Sequence, residues 1–243
     1  MRRLLPVGLI ACLVLAEGFC TDALYGTIAG WGHMIDPDGD SRFEVAADQV
    51  TIVFGPGRDG LDAEGGPEKM NAPRVLRSQT GDFSVTTTVK GNLPLPELPY
   101  AYISGGLVLM QDDQNYIRLE RANFIRDGKK SYYTNFEQRI DAKRTRMGRF
   151  VDYALDAERD VELRLEVNGE KVRALVRQAG EPWHEMGTAT IDASQAQHVG
   201  ISGVKTIEEE VRVTFKDFQI EQASNIDAAE SSKIKLSQPI GQN

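Results

Sequence analysis

Cysteine is almost absent from this sequence, with only Cys12 and Cys20 among its 243 residues. Two cysteines cannot build a disulfide scaffold, and they cannot supply the four thiolates of a structural zinc site. The three histidines, His33, His184 and His198, are not spaced as a metal-binding set. The sequence therefore excludes a disulfide-rich fold and gives no support to a transition-metal site.

Basic residues are also in short supply, with 28 Lys and Arg against 36 Asp and Glu and a formal net charge of −8. Proteins that bind nucleic acid neutralise phosphates with clustered Lys and Arg, so this balance excludes nucleic acid as a partner. A length of 243 residues with 41% hydrophobic side chains is enough for a single β-sandwich domain.

Long hydrophobic runs are missing, and the longest one lies at the N-terminus. Arg2 and Arg3 precede an apolar stretch at residues 4–16, and small residues then follow at cleavage-compatible spacing. This pattern is typical of a secretory signal peptide, and the stretch is shorter than the roughly 20 residues that span a bilayer. We predict a signal peptide at residues 1–20, with a buried strand or an uncleaved anchor as the alternatives.

We therefore predict that the protein is exported to the periplasm or the extracellular space, and that the mature chain left after cleavage contains no cysteine. We expect one domain over residues 21–222 and a polar, disordered tail over residues 223–243, because the tail has no hydrophobic periodicity. No second apolar run reaches spanning length, so the mature chain is expected to have no membrane span. The sequence carries no feature that specifies an oligomeric state.

The chain after residue 40 alternates apolar and polar residues in short runs separated by turn residues. Residues 82–90 and 161–167 alternate along their whole length, and Asn168-Gly169 is a strong hairpin signal. Long helical periodicity is absent after the N-terminal segment. The pattern predicts an all-β protein, a two-sheet antiparallel β sandwich or jelly roll.

One predicted strand contains a break in its alternation. Val213 and Phe215 share a face, and Phe218 and Ile220 continue on it only if one extra residue is inserted between them. A β-bulge inserts such a residue and re-aims the side chain that it carries. We therefore predict a bulge at Asp217, with its carboxylate aimed by the bulge.

Several stretches resemble concanavalin A-like domains, in particular domain-of-unknown-function family 1349 and the C-terminal module of family-43 glycoside hydrolases. The resemblance lies in residues 70–76, 81–85, 104–110 and 113–121, the hairpin at 161–176 and the closing run at 213–220, and it covers roughly residues 40–222. It implies two curved antiparallel sheets. In many relatives the concave face or its rim loops hold sugar, and the family supplies no catalytic residues to carry over.

An acidic turn near the N-terminus is a candidate calcium site. Asp36, Asp38 and Asp40 alternate around Gly39, and calcium prefers several hard oxygen ligands on a tight turn. Related sandwiches hold a structural calcium with an N-terminal loop and a carboxylate of the last strand, a position that Asp217 matches by resemblance. The alternative is an ordinary turn, because Asp-Pro and Asp-Gly form turns readily.

Two neighbouring strands are expected to share a mixed aromatic and charged face. Aromatic rings stack on sugars, while Arg and Glu bond their hydroxyl groups, so this face is a candidate glycan-binding surface. The alternative is a solvated face with cross-strand ion pairs. We expect segments 93–99 and 123–147 to be loops, which decide whether the face is open or filled. The predicted ligand-binding residues are Tyr116, Arg118, Glu120, Tyr133, Glu137 and Arg139.

A second set of carboxylates, Glu158, Asp160 and Glu162, has the alternating spacing of some retaining glycanases. Arg159 stands where such motifs carry an apolar residue, and these charges fit the solvent side of an amphipathic strand. Three functions stay open. The first is a non-catalytic, lectin-like module that binds a polysaccharide or glycan, the second is a protein–protein interaction module, and the third is a glycoside hydrolase.

Overall fold

The computed structural model describes residues 26–91, 93–148 and 153–222, so the predicted signal peptide and tail lie outside the described residues. The described chain is almost entirely extended. Two short 3₁₀ turns, Ala63–Gly65 and Pro67–Lys69, interrupt a long connection. The strands are β1 Thr27–Ile28, β2 Gly32–Ile35, β3 Arg42–Ala46, β4 Gln49–Phe54, β5 Arg74–Gln79, β6 Phe83–Val89, β7 Tyr100–Met110, β8 Tyr116–Arg126, β9 Lys129–Ile140, β10 Lys143–Arg146, β11 Val161–Asn168, β12 Lys171–Gln178, β13 His184–Thr190, β14 Gln197–Lys205 and β15 Val211–Gln222.

The strands form two antiparallel sheets, which confirms the predicted β sandwich. Among the described residues, one sheet has eight strands in the order β1-β2-β5-β14-β7-β8-β9-β10, and the other has seven in the order β13-β12-β11-β6-β15-β4-β3. Neighbouring strands in sequence often lie in different sheets, as expected when both sheets share one core. Within the described ranges, no helix has the length and apolarity needed to cross a membrane.

The core lies between the two sheets and follows from the period-two alternation. In β11, Val161, Leu163, Leu165 and Val167 are buried, while the residues between them are only half-buried. Each fully buried aliphatic side chain contributes about 1.5–3 kcal/mol relative to its exposed state. The turn after β11 is the predicted one, since Gly169 has the positive φ of 55° that an Asn-Gly hairpin uses.

The predicted bulge in β15 is confirmed. Against β6, Lys216 pairs with Thr88 but Gln219 pairs with Thr86, so two residues of β15 stand opposite one residue of the partner strand. Asp217 has a left-handed φ of 54°. Because of the bulge, Ile220 pairs with Val85 and packs against the core. Asp217 lies on the outer face of the seven-stranded sheet, beside Thr88.

A second, smaller apolar cluster lies on the outer face of the eight-stranded sheet. The connection between β4 and β5, which we call segment 55–73, folds over this face and buries side chains against it. The expectation that residues 123–147 form a covering loop is wrong, because most of them belong to β8, β9 and β10. The cluster consists of Leu61, Met70, Ala72, Leu76, Val108, Met110, Tyr116 and Val204.

Candidate functional site

The structure brings the six predicted ligand-binding residues together on the outer face of the eight-stranded sheet. In the antiparallel pair β8–β9, Arg118 stands opposite Glu137 and Tyr116 opposite Arg139, while Ala122 faces Tyr133. Side chains of alternate residues point to one face, so all six side chains lie on the side away from the sandwich core.

Four of these residues form a buried set of ion pairs, the arginine–glutamate network of Arg118, Glu120, Glu137 and Arg139. Arg118 Nη2 lies 2.6 Å from Glu120 Oε2, and Arg118 Nη1 lies 3.4 Å from Glu137 Oε1. Arg139 Nη2 lies 3.4 Å from the same Glu137 oxygen. None of the four residues is more than 5% exposed. The cross-strand ion pairs of the alternative are therefore present, but at these positions they are buried rather than solvated.

The network keeps Glu137 ionised. Burial raises the pKa of the Glu137 carboxyl, but its neighbours, chiefly Arg118 and Arg139, outweigh that effect, and the pKa lies below its usual value. Glu120 is held by the Arg118 guanidinium through two of its nitrogens, Nε at 3.1 Å and Nη2 at 2.8 Å from Oε1. A general acid of a glycosidase needs a raised pKa, and Glu137 has the opposite shift.

An open cavity of about 700 Å³ lies above the network, between segment 55–73 and strands β7 to β10. We call it the outer-face cavity. Four of the six predicted residues line it, namely Arg118, Tyr133, Glu137 and Arg139. The volume falls within the range of small-molecule sites, and it is open to solvent on one side.

The other two predicted residues act below the surface. The Tyr116 hydroxyl donates to Leu61 O at 3.0 Å and accepts from Ala63 N at 3.2 Å. Arg118 Nη1 donates to the same Leu61 carbonyl at 2.7 Å. Tyr116 therefore fastens segment 55–73 to the sheet, and Glu120 lies beneath the cavity as the partner of Arg118.

Three aromatic residues of the cavity were missed by sequence reasoning. Tyr100, Tyr102 and Phe124 line its open end, where Tyr100 packs edge-on against Phe124 with ring centroids 5.4 Å apart. Tyr100 is 52% exposed, which makes it an accessible ring at the rim. Strand β7 begins at Tyr100 and carries the two tyrosines on alternate positions of the cavity face.

Tyr102 and Tyr133 are neutral hydrogen-bonding groups of the cavity at physiological pH. Burial raises the pKa of Tyr133 to about 12 and raises that of Tyr102 well above its usual value. Tyr102 donates its hydroxyl to Glu120 Oε2 at 3.4 Å. Neutral phenols of this kind offer both an apolar ring and a polar group to a ligand.

Segment 55–73 is anchored at its start by a buried lysine. Lys205 is 1% exposed, and its ammonium lies 3.6 Å from Asp59 Oδ2. The backbones of Asp59 and Lys205 exchange two hydrogen bonds of 3.0 Å. Burial raises the pKa of Asp59 to about 7 despite the lysine. The ammonium donates to the carbonyl oxygens of Gly55, Gly57, Ile207 and Glu209 at 2.6–3.2 Å.

The raised pKa of Asp59 predicts a pH dependence of stability. The folded state holds a proton on Asp59 up to about pH 7, whereas the unfolded chain releases it near its ordinary value of 3.8. The contribution of Asp59 is therefore fully present below that value and is lost as pH rises towards 7, at up to about 1.4 kcal/mol per pH unit. Urea unfolding of Asp59→Asn at pH 5 and pH 8 is expected to show a smaller fall than the wild type. An equal fall in both proteins would contradict this assignment.

The four predicted calcium ligands are not brought to one place. Asp36 Oδ2 accepts from Ser41 N at 2.9 Å, and Asp38 accepts from Asn71 Nδ2 at 2.6 Å. Asp217 N instead bonds Asp48 O, just before β4, whereas Asp40 lies against Gly55, just after β4. A strand of that length separates the two by roughly 20 Å.

Within the described ranges, no three His, Cys, Asp or Glu side chains are grouped to hold a metal ion. The four aspartates therefore do not fit a single calcium ion in this structure, because Asp217 lies at the opposite end of β4 from Asp40. Asp36 Oδ1 is buried without a hydrogen-bond partner. Calcium binding at the turn of residues 36–40 stays a prediction.

The second set of predicted carboxylates lies on the outer face of the other sheet. Asp160 accepts from Lys90 Nζ at 2.8 Å and from Gly91 N at 2.7 Å, and Glu162 Oε2 lies 2.6 Å from Arg177 Nη2. The same Arg177 lies over the ring of Trp183, 4.3 Å from its centroid. These groups are occupied by structural partners and lie outside the outer-face cavity.

Comparison with known proteins places the chain among sandwich domains. A family model described as a protein of unknown function, DUF1349, matches residues 40–223. Among solved structures, a functionally unknown protein from Saccharomyces cerevisiae is 19% identical, with a TM-score of 0.58 over 74% of this chain and 91% of that protein. No curated protein matches the sequence significantly.

Two larger proteins contain a similar domain. The GH43 protein BlXynB from Bacillus licheniformis is 12% identical, with a TM-score of 0.52 over 82% of this chain and 38% of that protein. A xylan β-1,4-xylosidase from Bacillus halodurans is 15% identical, with a TM-score of 0.50 over 72% of this chain and 33% of that protein. The aligned part of the present chain thus spans 33–38% of these two proteins, and the similarity is one of fold.

Proposed function

The chain belongs to the DUF1349 family, and from its sandwich fold and outer-face cavity we propose that it is an exported, non-catalytic glycan-binding module. The observation that carries the proposal is the pairing of accessible aromatic rings with fixed polar groups in one open cavity. Tyr100 and Tyr133 present rings, while Arg118 and Glu137 are held in place by ion pairs. Sugar-binding sites combine apolar ring faces with a few oriented polar groups in this way.

The arrangement favours binding over hydrolysis. A retaining or inverting glycosidase uses one carboxyl as an acid and the other as a nucleophile or base. In the cavity, Glu137 has a lowered pKa and Glu120 lies under Arg118, so neither is arranged to deliver a proton. Reducing-sugar assays on a polysaccharide panel are expected to show no turnover. Turnover that disappears in Glu137→Gln would replace the binding module with a hydrolase.

Export is proposed from the sequence of residues 1–20 and places the module in the periplasm or outside the cell. N-terminal sequencing of the protein recovered from the exported fraction tests this step. A start shortly after residue 20 supports it, and an intact N-terminus on protein retained in the cytoplasm contradicts it.

The binding site itself is tested by substitution of two of its aromatic rings. We expect Tyr100→Ala and Tyr133→Ala each to weaken glycan affinity by about tenfold, equivalent to about 1.4 kcal/mol, because each removes a ring available for stacking. A glycan array identifies the sugar, and titration calorimetry then gives the affinities. The fold should be retained, since neither ring belongs to the main core.

The matched control is Trp183→Ala, which removes an aromatic side chain from the outer face of the other sheet. Its affinity is expected to equal that of the wild type. If Trp183→Ala abolishes binding while the two tyrosine variants bind normally, the ligand lies on the seven-stranded sheet and the proposed site is wrong. Substitution of Tyr116 or Arg118 is unsuitable for this test, because both residues fasten segment 55–73.

A further inference from the structure

We infer that the glycan bound in the outer-face cavity is an acidic one that carries carboxylates, a uronic-acid polymer or oligomer, an inference that rests on the proposed function. The observation behind it is a local reversal of charge. The chain as a whole carries a formal net charge of −8. The cavity nevertheless is lined by eight Lys and Arg side chains against four Asp and Glu side chains.

The buried part of that charge is balanced. Arg118 and Arg139 are paired with Glu120, Glu137 and Asp62, and Lys205 is paired with Asp59. These groups set the shape of the cavity floor, and they leave little net charge there. The excess positive charge therefore belongs to the walls, where side chains are exposed and able to meet a ligand.

Two arginines of the edge strand β10 supply half of this excess of four positive charges. Arg144 pairs in register with Arg139 and Arg146 with Glu137, so both side chains point to the cavity face of the sheet. All four residues of β10 are exposed. Among the described residues, neither arginine forms an ion pair with a carboxylate. Both act on groups of the cavity, since Arg144 contributes to the lowered pKa of Glu137 and Arg146 opposes the rise that burial causes in the pKa of Tyr133.

The spacing of these arginines suits a repeating anion. Two residues apart on a strand, they lie about 7 Å from each other along the cavity wall. A guanidinium binds a carboxylate through two parallel hydrogen bonds, which fixes orientation as well as charge. The rings of Tyr100 and Tyr133 lie in the same cavity, and they favour a sugar over a polyanion that lacks flat apolar faces.

The overall charge of the chain adds selectivity. Because the chain as a whole carries a net charge of −8, it repels a long polyanion such as nucleic acid over a range of about 10 Å at 0.1 M salt. A glycan with one carboxylate per sugar has a lower charge density and offers uncharged rings between its charges. The cavity therefore fits a short run of uronic acids.

The experiment compares sugars that differ only in charge. Titration calorimetry is performed on the full mature chain with hexasaccharides of galacturonate, mannuronate and glucuronate, each beside its carboxyl-reduced or methyl-esterified form. Cello- and xylo-hexaose serve as neutral probes, and a heparin fragment and a single-stranded DNA serve as other polyanions. We expect at least one uronate to bind about tenfold tighter than its uncharged form, with an affinity that falls as salt is added.

The double variant Arg144→Gln plus Arg146→Gln tests the assigned side chains. It is expected to lose about tenfold in affinity for the uronate and to bind the uncharged form within about twofold of the wild type. The matched control, Lys143→Gln plus Lys171→Gln, removes the same charge at exposed positions. Lys143 lies on the same strand but points away from the cavity, and Lys171 lies in the other sheet. The control should bind every probe like the wild type.

The outcomes separate this inference from the proposed function. Equal binding of charged and uncharged sugars, lost in Tyr133→Ala, overturns the acidic ligand and leaves the glycan-binding module standing. Equal binding of the uronate, the heparin fragment and DNA overturns it as well, because the cavity is then a general anion surface. Failure of every sugar to bind overturns both.

Discussion

Replacement of Lys205 by methionine is expected to lower the free energy of unfolding at pH 8 by about 3–5 kcal/mol. Methionine fills a similar volume but leaves the Asp59 carboxylate buried without its counter-charge, and burial of an unpaired charge is costly. The substitution also removes the ammonium group that donates hydrogen bonds to the carbonyl oxygens of Gly55, Gly57, Ile207 and Glu209.

The size of this loss should depend on pH. Asp59 has a pKa raised to about 7 by burial, so at pH 5 it is already protonated and needs no partner. The loss in Lys205→Met is therefore expected to be smaller at pH 5 than at pH 8. Urea unfolding gives both values. The control is Lys171→Met at an exposed position of β12, expected within about 0.5 kcal/mol of the wild type. A Lys205 variant as stable as this control would contradict the anchoring role.

Replacement of Arg118 by methionine is expected to lower the free energy of unfolding by a similar amount, about 3–5 kcal/mol. Arg118 is the shared partner of Glu120 and Glu137, and its side chain also holds the Leu61 carbonyl of segment 55–73. Without it, the buried negative charges of Glu120 and Glu137 lie close together with less positive charge beside them. We also expect faster proteolysis within segment 55–73, because one of its attachments to the sheet is gone.

A double variant separates the charge effect from lost packing. Arg118→Met with Glu120→Gln removes one of the two buried carboxylate charges that lack a counter-charge. The double variant should therefore be more stable than Arg118→Met alone. The control Arg126→Met removes an exposed arginine from the same strand and is expected to change stability little. If the double variant is less stable than the single one, the buried charges are not the cause of the loss.

The fold was predictable because it depends on local alternation. The period-two pattern of Val161 to Val167, the Asn168-Gly169 turn and the phase break at Asp217 each correspond to an observed feature. The shared face of β8 and β9 followed from the same rule. Alternation assigns side chains to faces with confidence wherever one face is apolar.

The outer-face cavity was only half predictable, because its walls come from segments without periodicity. Segment 55–73 is rich in glycine, proline and charge, and its position over the sheet depends on Lys205, a residue at the end of β14. The basic run that contains Arg144 and Arg146 forms an edge strand, which no alternation of apolar residues reveals. Such placements arise from tertiary contacts rather than from local pattern.

Buried charged residues are a further feature that the sequence pattern does not predict. Arg121 points towards the sandwich interior, where a period-two pattern requires an apolar residue. It is retained there because its guanidinium donates to the carbonyl oxygens of Lys90, Ala157 and Arg159, which ties the segment before β11 to the sheet. A sequence does not show where such carbonyl groups will collect, so an arginine of this kind is taken for a surface residue.

The most direct test of the account is a structure of the mature protein with the best-binding sugar from the array. The account predicts sugar rings against Tyr100 and Tyr133 in the outer-face cavity, with a polar contact to Arg144 or Arg146. A sugar seated beside Trp183 on the opposite sheet, or an outer-face cavity from which segment 55–73 excludes every ligand, would contradict it.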